Sequence, residues 1–426
     1  MNRNALAAAL LAPLLLWSVD VCAQPADSLV TVARTAFAEG RYEDVIERLT
    51  RHAAPDAPAE ALYLLGRSRQ ALLQHEAALD ALRAAHARDT TSARILQALG
   101  HSHEALGRLL EAEAAYARAL ELAPSRVLHL RLADLYRRMR AWKEAAHHYG
   151  VLLRSDSANG LLHARMAQVL EARHQPERAL HHYRRAHRLN PRPPTVALRL
   201  SRLLDARDDT RSALRVIDST LAHHASPALW QRRAELAFKQ DSLDAAGAAY
   251  ENAVQLGDSS ASTFRRLGIV RIGLGRHAAA LDALRRARAR DSTNARTHFY
   301  LGVAYREVDS LHQSARAFER AIDLVADDVL GDAYLQAAVT YDALDDLPAA
   351  LDAYKTALRV QPGRVEVYFH LATLYDRYYR DKTTAALYYR KFLAATGSLR
   401  TPLHAYATRR LEALRPTLHF QQGRGQ

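Results

Sequence analysis

One position in the chain returns at a nearly fixed interval. Leu49, Leu82, Tyr116, Tyr149, Tyr183, Ile217, Tyr250, Leu284, Phe318, Tyr354 and Tyr389 are separated by 33, 34, 33, 34, 34, 33, 34, 34, 36 and 35 residues. A period of this length marks a stack of small supersecondary units, each of which can bury its apolar face only against a neighbour. That reading takes precedence over any single-core domain.

The residues around this anchor show what each unit is made of. Four positions upstream stands a second series, Val45, Ala78, Ala112, Ala145, Ala179, Ala213, Ala246, Ala280, Ser314, Ala350 and Ala385. Twelve residues earlier still comes a third, Ala33, Gly66, Gly100, Ala133, Ala167, Ser201, Ala234, Gly268, Gly302, Ala338 and Ala372, with no bulky member. Helix axes approach to ~8–10 Å only where side chains permit, so small residues mark the crossing and the large anchor fills the space beside it. Between the two small series lie turn signals: Gly40, Gly107, Asp208–Asp209, Gly275, Asp309–Ser310 and Asp345–Asp346. Pro124, Pro191 and Pro362 end second helices, because proline cannot continue one.

The pattern helix, turn, helix resembles the tetratricopeptide repeat (TPR) family. The third unit carries the motif as Leu96, Leu99, Gly100, Ala112, Tyr116, Ala119 and Pro124. The tenth carries it as Tyr334, Ala337, Ala338, Tyr341, Ala350, Tyr354, Ala357 and Pro362. The resemblance implies an all-α, right-handed superhelical solenoid of about eleven TPR helix-turn-helix units over residues 26–398.

The two ends read differently. Arg3, the apolar run Ala5–Trp17 and Val21-Cys22-Ala23 have the layout of a signal peptide over residues 1–23, cleaved after Ala23. The run is too short for a membrane span, which needs about 20 residues. Export to the periplasm or the extracellular space follows, and a lipid anchor on Cys22 is the competing reading, opposed by Val21 and Asp20 just before it. Cleavage would remove the sole cysteine, so no disulfide holds the mature chain. Near the other end, Leu403, Tyr406, Ala407, Leu411 and Leu414 form one helical stripe, predicting a capping helix over 399–415 with Arg409 and Arg410 off the stripe. Residues 416–426 offer nothing to pack and are expected as a disordered tail.

Charge is unevenly placed. Residues 26–125 carry 11 basic and 14 acidic side chains, a balance of −3, whereas residues 126–226 carry 19 and 9, a balance of +10. The middle block also holds ten of the 21 histidines. A positive field of this kind draws acidic partners, so a possible acidic polymer, such as a glycan or cell-wall polymer, stands as the alternative ligand.

Catalytic motifs are missing from the sequence. His75-Glu76 and His103-Glu104 each begin an H-E-x-x-H pattern that lacks its second histidine. Gly273–Ala278 imitates a dinucleotide fingerprint, but it follows a helix where a strand is required. There is no P-loop and no nucleophile elbow. No enzyme activity, cofactor or metal is expected, and the pairs His147-His148 and His181-His182 read as outward-facing surface residues. Nucleic acid is not an expected partner, since no aromatic stacking platform accompanies the basic residues. No transmembrane segment is expected either.

What remains is a binding role. In the TPR family the first helix of each unit lines a concave groove that holds protein segments. Carried over unit by unit, the inward places include Arg34 and Phe37, then Tyr63 and Arg67, then Arg94 and His101. Arg137, Arg138, Arg202, Phe238 and Lys239 continue the series. Arg265, Phe299, Arg306, Phe369 and Asp376 complete it. The Asn- and Lys-based carboxylate clamp of chaperone-binding relatives is absent, with Arg34, Arg67, His101, Asp134, Gln168 and Arg202 at the matching place. The expected function is a non-enzymatic protein-interaction scaffold of the cell envelope.

Overall fold

The computed structural model describes residues 26–51, 57–324, 330–397 and 401–422, which form 23 helices and no strand. The expected signal peptide therefore lies outside the described residues.

The chain divides into two compact units, one ending at His182 and one beginning at Tyr183. The N-terminal unit contains α1 (Ala26–Ala38), α2 (Tyr42–Arg51), α3 (Ala59–Ala71), α4 (His75–Arg88), α5 (Ala93–Ala105), α6 (Leu109–Leu122), α7 (Arg126–Arg138), α8 (Trp142–Ser155) and α9 (Gly160–Ala172). The division falls inside α10 (Pro176–Leu189). The C-terminal unit continues with α11 (Pro194–Asp205), α12 (Thr210–Leu221), α13 (Pro227–Lys239), α14 (Leu243–Gln255), α15 (Ala261–Gly273), α16 (His277–Arg290), α17 (Ala295–Glu307) and α18 (Leu311–Asp323). It ends with α19 (Leu330–Ala343), α20 (Leu347–Val360), α21 (Val365–Tyr378), α22 (Thr383–Thr396) and α23 (Pro402–Gln422). Each helix packs on the next, from α1 to α9 in one unit and from α11 to α23 in the other.

The three periodic series explain this stacking. Every anchor from Leu49 to Tyr389 is at most 3 % exposed, so the large residue of each repeat is core. The small residue twelve positions before the second series lies directly under that anchor. A Cβ on Gly66 would meet Leu82 at 2.5 Å, and one on Gly302 would meet Phe318 at 2.7 Å. Such contact leaves room for nothing larger than the residue present.

The turn inside each of the first ten repeats also follows one rule. A residue two or three places beyond the first helix takes the left-handed conformation, as Gly107 does at φ 74°. Gly107 N–H then donates to Glu104 O at 3.1 Å and Arg108 N–H to His103 O at 2.9 Å, satisfying the last carbonyls of α5. Leu73, Arg140, His174 and Asp241 adopt the same positive φ without being glycine, which is why these turns carried no glycine signal in the sequence.

At the C-terminus the helix is longer than the expected cap of 399–415 and its disordered tail. α23 continues through Pro416 to Gln422. The exposed Glu412 and Pro416 leave the carbonyl freed by the missing proline N–H open to water, so the break costs little here. Ala407 and Leu414 are buried, and Tyr406 packs on Phe369 with ring centroids 5.8 Å apart. Arg410, placed off the stripe, instead forms a two-pronged pair with Asp376, at 2.5 Å and 3.0 Å.

Candidate functional site

First-helix residues of the N-terminal unit converge on one cleft of about 460 Å³. Phe37, Tyr63, Arg67, Arg94 and His101 line it, with Tyr42, Gln70, Gln97, Tyr116 and Arg131. The repeat produces this convergence, because equivalent places on α1, α3, α5 and α7 face the same side.

The aromatic wall and the cations are interleaved. Phe37 meets Tyr42 edge-on at 5.4 Å. The Arg67 guanidinium sits 6.0 Å from the Phe37 ring centre and 5.9 Å from that of Tyr63, and its Nη1 donates to Tyr63 Oη at 3.1 Å. Arg94 lies 5.4 Å from the Tyr63 ring centre and donates to Glu60 at 3.1 Å. Arg34 reaches the same Glu60 at 3.4 Å, at the edge of the cleft. Arginine over an aromatic face is attracted by the ring quadrupole, which orients the guanidinium without neutralising it.

Among the described residues no carboxylate lines the cleft, and neither Arg67 nor Arg131 forms an ion pair. Glu104, whose charge acts on His101 and Tyr116, is already engaged by Arg138 at 2.7 Å and by the Tyr116 hydroxyl at 3.1 Å. Burial lowers the His101 pKa, and Arg131, His75 and Arg67 lower it further, so the imidazole is neutral at pH 7. The arrangement offers guanidinium donors to an anion and ring faces to an apolar or aromatic side chain.

The other inward places are not gathered there. Arg137 stands 3.7 Å from Asp134. In the C-terminal unit Arg202 is exposed, Phe238 is 45 % exposed, and Lys239 is 3.0 Å from both Asp205 and Asp208. Arg265 is half-buried, and Arg306 donates to Gln336 at 2.5 Å. Three of the expected groove residues are packing residues instead. Phe299 lies against Phe318 at 5.7 Å, and Phe369 belongs to the cluster under α23. Asp376, 7 % exposed, is committed to Arg410. A buried carboxylate keeps its charge only with such a partner, which removes it from any groove.

Gln97 falls one repeat after Tyr63, and Gln70 one repeat after Phe37, so the carry-over from the family that named the aromatic members extends at the same period to these. Arg131 had no such signal: its neighbour Leu130 occupies the equivalent place.

The histidine pairs correct a second expectation. His147 and His181 are exposed, but His148 and His182 are half-buried between repeats. His148 Nδ1 is 2.8 Å from His129 Nδ1, and His182 Nδ1 is 2.9 Å from His163 Nδ1. His163 Nε2 lies 3.1 Å from the Ser157 carbonyl and donates to it. A neutral His163 therefore accepts at Nδ1, and His182 is the donor. Burial, then the neighbouring histidines, push both His148 and His182 down to about 4. No group of three or more His, Cys, Asp or Glu placed to hold a metal occurs among the described residues. No helix there is long and apolar enough to cross a membrane.

The fold is that of a helical-repeat protein, built from stacked helix-turn-helix pairs. Models of the tetratricopeptide repeat match residues 93–126 and 265–329. With the three buried series and the repeated left-handed turn, these matches identify tetratricopeptide repeats in both units of the chain. Solved structures similar to it include Cut9–Hcn1 of the APC/C hetero-tetramer, at 14 % identity over 91 % of this chain and 90 % of that one, TM-score 0.44. The C-terminal part of a TPR repeat-containing protein from Cytophaga hutchinsonii shows 18 % identity over 55 % and 96 %, TM-score 0.46. MamA shows 24 % identity over 38 % and 93 %, TM-score 0.36. No curated protein sequence matches the chain.

Proposed function

We propose that this protein is a non-enzymatic scaffold that holds a segment of a partner protein on its first-helix face, anchored in the N-terminal cleft. One observation carries the reading: Arg67 and Arg131 flank an aromatic wall with no carboxylate to neutralise them. Rigid helices present these groups, so little ordering entropy is lost on binding, and arginine and aromatic anchors dominate affinity. The partner would supply a carboxylate or an acidic side chain beside an apolar or aromatic one.

The test is affinity capture from the native cell envelope fraction, followed by titration of the captured partner. Arg67→Glu/Arg131→Glu should weaken binding about tenfold or more, and Arg288→Glu, exposed on the second helix α16, should leave it unchanged. Equal affinity for the cleft variant and the wild type would overturn the reading.

The envelope setting is part of the proposal, and it rests on the leader-like layout of residues 1–23. Mass spectrometry of the mature protein should then find Gln24 first, whereas a lipid on Cys22 would make the protein membrane-anchored. The second reading, an acidic glycan on the middle repeats, is supported by the balance of +10 over residues 126–226. Such binding would be dominated by charge and lost as the screening length falls from ~10 Å at 0.1 M salt to ~3 Å at 1 M.

A further inference from the structure

Between consecutive second helices of the C-terminal unit lies a gap floored by the first helix between them, and five successive gaps can be compared. In the gap between α14 and α16, Arg271 on the floor pairs with Glu251 at 2.9 Å, and Phe264 sits under Arg286 at 5.8 Å. That gap is reduced to about 280 Å³. Between α12 and α14, Trp230 occupies the floor and Arg233 pairs with Asp218 at 2.8 Å. Between α16 and α18 Arg285 donates to the Tyr305 hydroxyl at 3.3 Å, and between α18 and α20 the Tyr341 hydroxyl donates to Glu319 at 2.7 Å. In each of these four gaps the residue that follows the anchor (Asp218, Glu251, Arg285 or Glu319) is tied to a side chain of the floor helix.

The gap between α10 and α12 breaks the rule. Its residue after the anchor is Arg184, and the places of Arg271 and Phe264 are taken by Leu204 and Ala197. Neither a long polar side chain nor a ring from the floor helix fills it; the His187 imidazole lines one side, 2.9 Å from Ser219 Oγ, and a cleft of about 600 Å³ remains, within the range of ligand sites. Leu200, Leu204 and Val216 make its lining apolar, while Arg184, Arg188 and Arg215 ring it. None of the three arginines forms an ion pair; Arg215 donates only to Ser212, at 2.9 Å. Asp209 feels the charges of Arg184 and Arg215, and it is occupied as the cap of α12, accepting from Ser212 N–H at 3.1 Å.

We infer that this gap is a second binding site, for an acidic protein segment that inserts a bulky apolar side chain between flanking carboxylates. Three unpaired cations select the anion, and the unfilled apolar lining selects the side chain. A sugar polymer would satisfy the arginines but leave the lining unused. The site belongs to the C-terminal unit, shares no residue with the N-terminal cleft and does not depend on it.

The probe is the peptide acetyl-Glu-Asp-Leu-Phe-Asp-Glu-amide, titrated calorimetrically into the full chain carrying Arg67→Glu/Arg131→Glu, so that the N-terminal cleft contributes nothing. Adding Arg184→Glu/Arg188→Glu, at two exposed positions, should weaken binding about tenfold or more. Adding Arg288→Glu/Arg290→Glu instead, which changes net charge equally at exposed positions of α16, should leave it within about twofold. Replacing Leu and Phe of the peptide by Ser should also cost about tenfold or more. No binding of the peptide, equal losses from both charge pairs, or retained affinity of the Ser peptide would each overturn the inference. Polygalacturonate bound through Arg184 and Arg188 where the peptide is not would replace it with the glycan reading.

Discussion

Substituting Ala for Gly should have opposite signs at Gly100 and Gly150, although both lie inside helices. A Cβ on Gly100 would stand 2.6 Å from both Cδ1 and Cε1 of Tyr116. Carbon atoms pack best at ~3.5–4.0 Å, so the ring would have to retreat by nearly 1 Å. It has little freedom to do so. The Tyr116 side chain is 1 % exposed and its hydroxyl is held by Glu104, which is itself held by Arg138. Overpacking of this kind costs ~1–3 kcal/mol, against which Ala returns ~1 kcal/mol of helix propensity, for a net loss of up to ~2 kcal/mol. At Gly150 a Cβ would meet only Met166 Cε, at an ordinary 3.8 Å. There the propensity term stands alone, and Gly150→Ala should gain ~0.5–1 kcal/mol. The assay is urea unfolding followed by far-ultraviolet circular dichroism, comparing midpoints because a repeat array need not unfold in one step. A Gly100→Ala midpoint equal to or above that of Gly150→Ala would refute the close-packed crossing between α5 and α6.

Two further outcomes are expected. His148 and His182 are held neutral in the folded chain down to about 4, while the unfolded chain binds their protons from 6.5 downward. Stability should therefore fall as pH drops from ~6.5 to ~4 and gain no further loss from these groups below that, by ~1–2 kcal/mol per histidine once solvent screening is allowed for. His148→Gln/His182→Gln should flatten the urea midpoint across this window, and an unchanged slope would remove the histidine pairs as its cause. Arg410→Ala should strip the buried Asp376 of its two-pronged partner, cost ~1–3 kcal/mol and speed amide exchange along α23. Unaltered exchange in α23 would show that the pair does not hold the cap.

The sequence by itself determined the repeat, the helix pairs and the core, because a stack of identical contacts writes the same requirement at the same place in every copy. Gly66, Gly100, Gly268 and Gly302 could be read as crossing points without coordinates, since only a small residue fits beneath the anchor. The resemblance to the family, carried over unit by unit, also reached the candidate cleft as far as Phe37, Tyr63, Arg67, Arg94 and His101, whose equivalent places face one side. Only the tertiary structure decided which of the inward side chains remain unspent. Asp376 and Arg410 lie on helices α21 and α23, and nothing local distinguishes that aspartate from a groove residue until the guanidinium is seen against it. His148 and His182 read as surface residues until His129 and His163 were found at hydrogen-bond distance. Arg184 and Arg188 look like the many other arginines of the middle block, and their gap is open because Leu204 and Ala197 stand where the gap between α14 and α16 has Arg271 and Phe264. Periodicity fixes which backbone places are neighbours. Whether a charge is neutralised or a gap is filled depends on the particular side chains that meet there, and that pairing is set by packing between repeats.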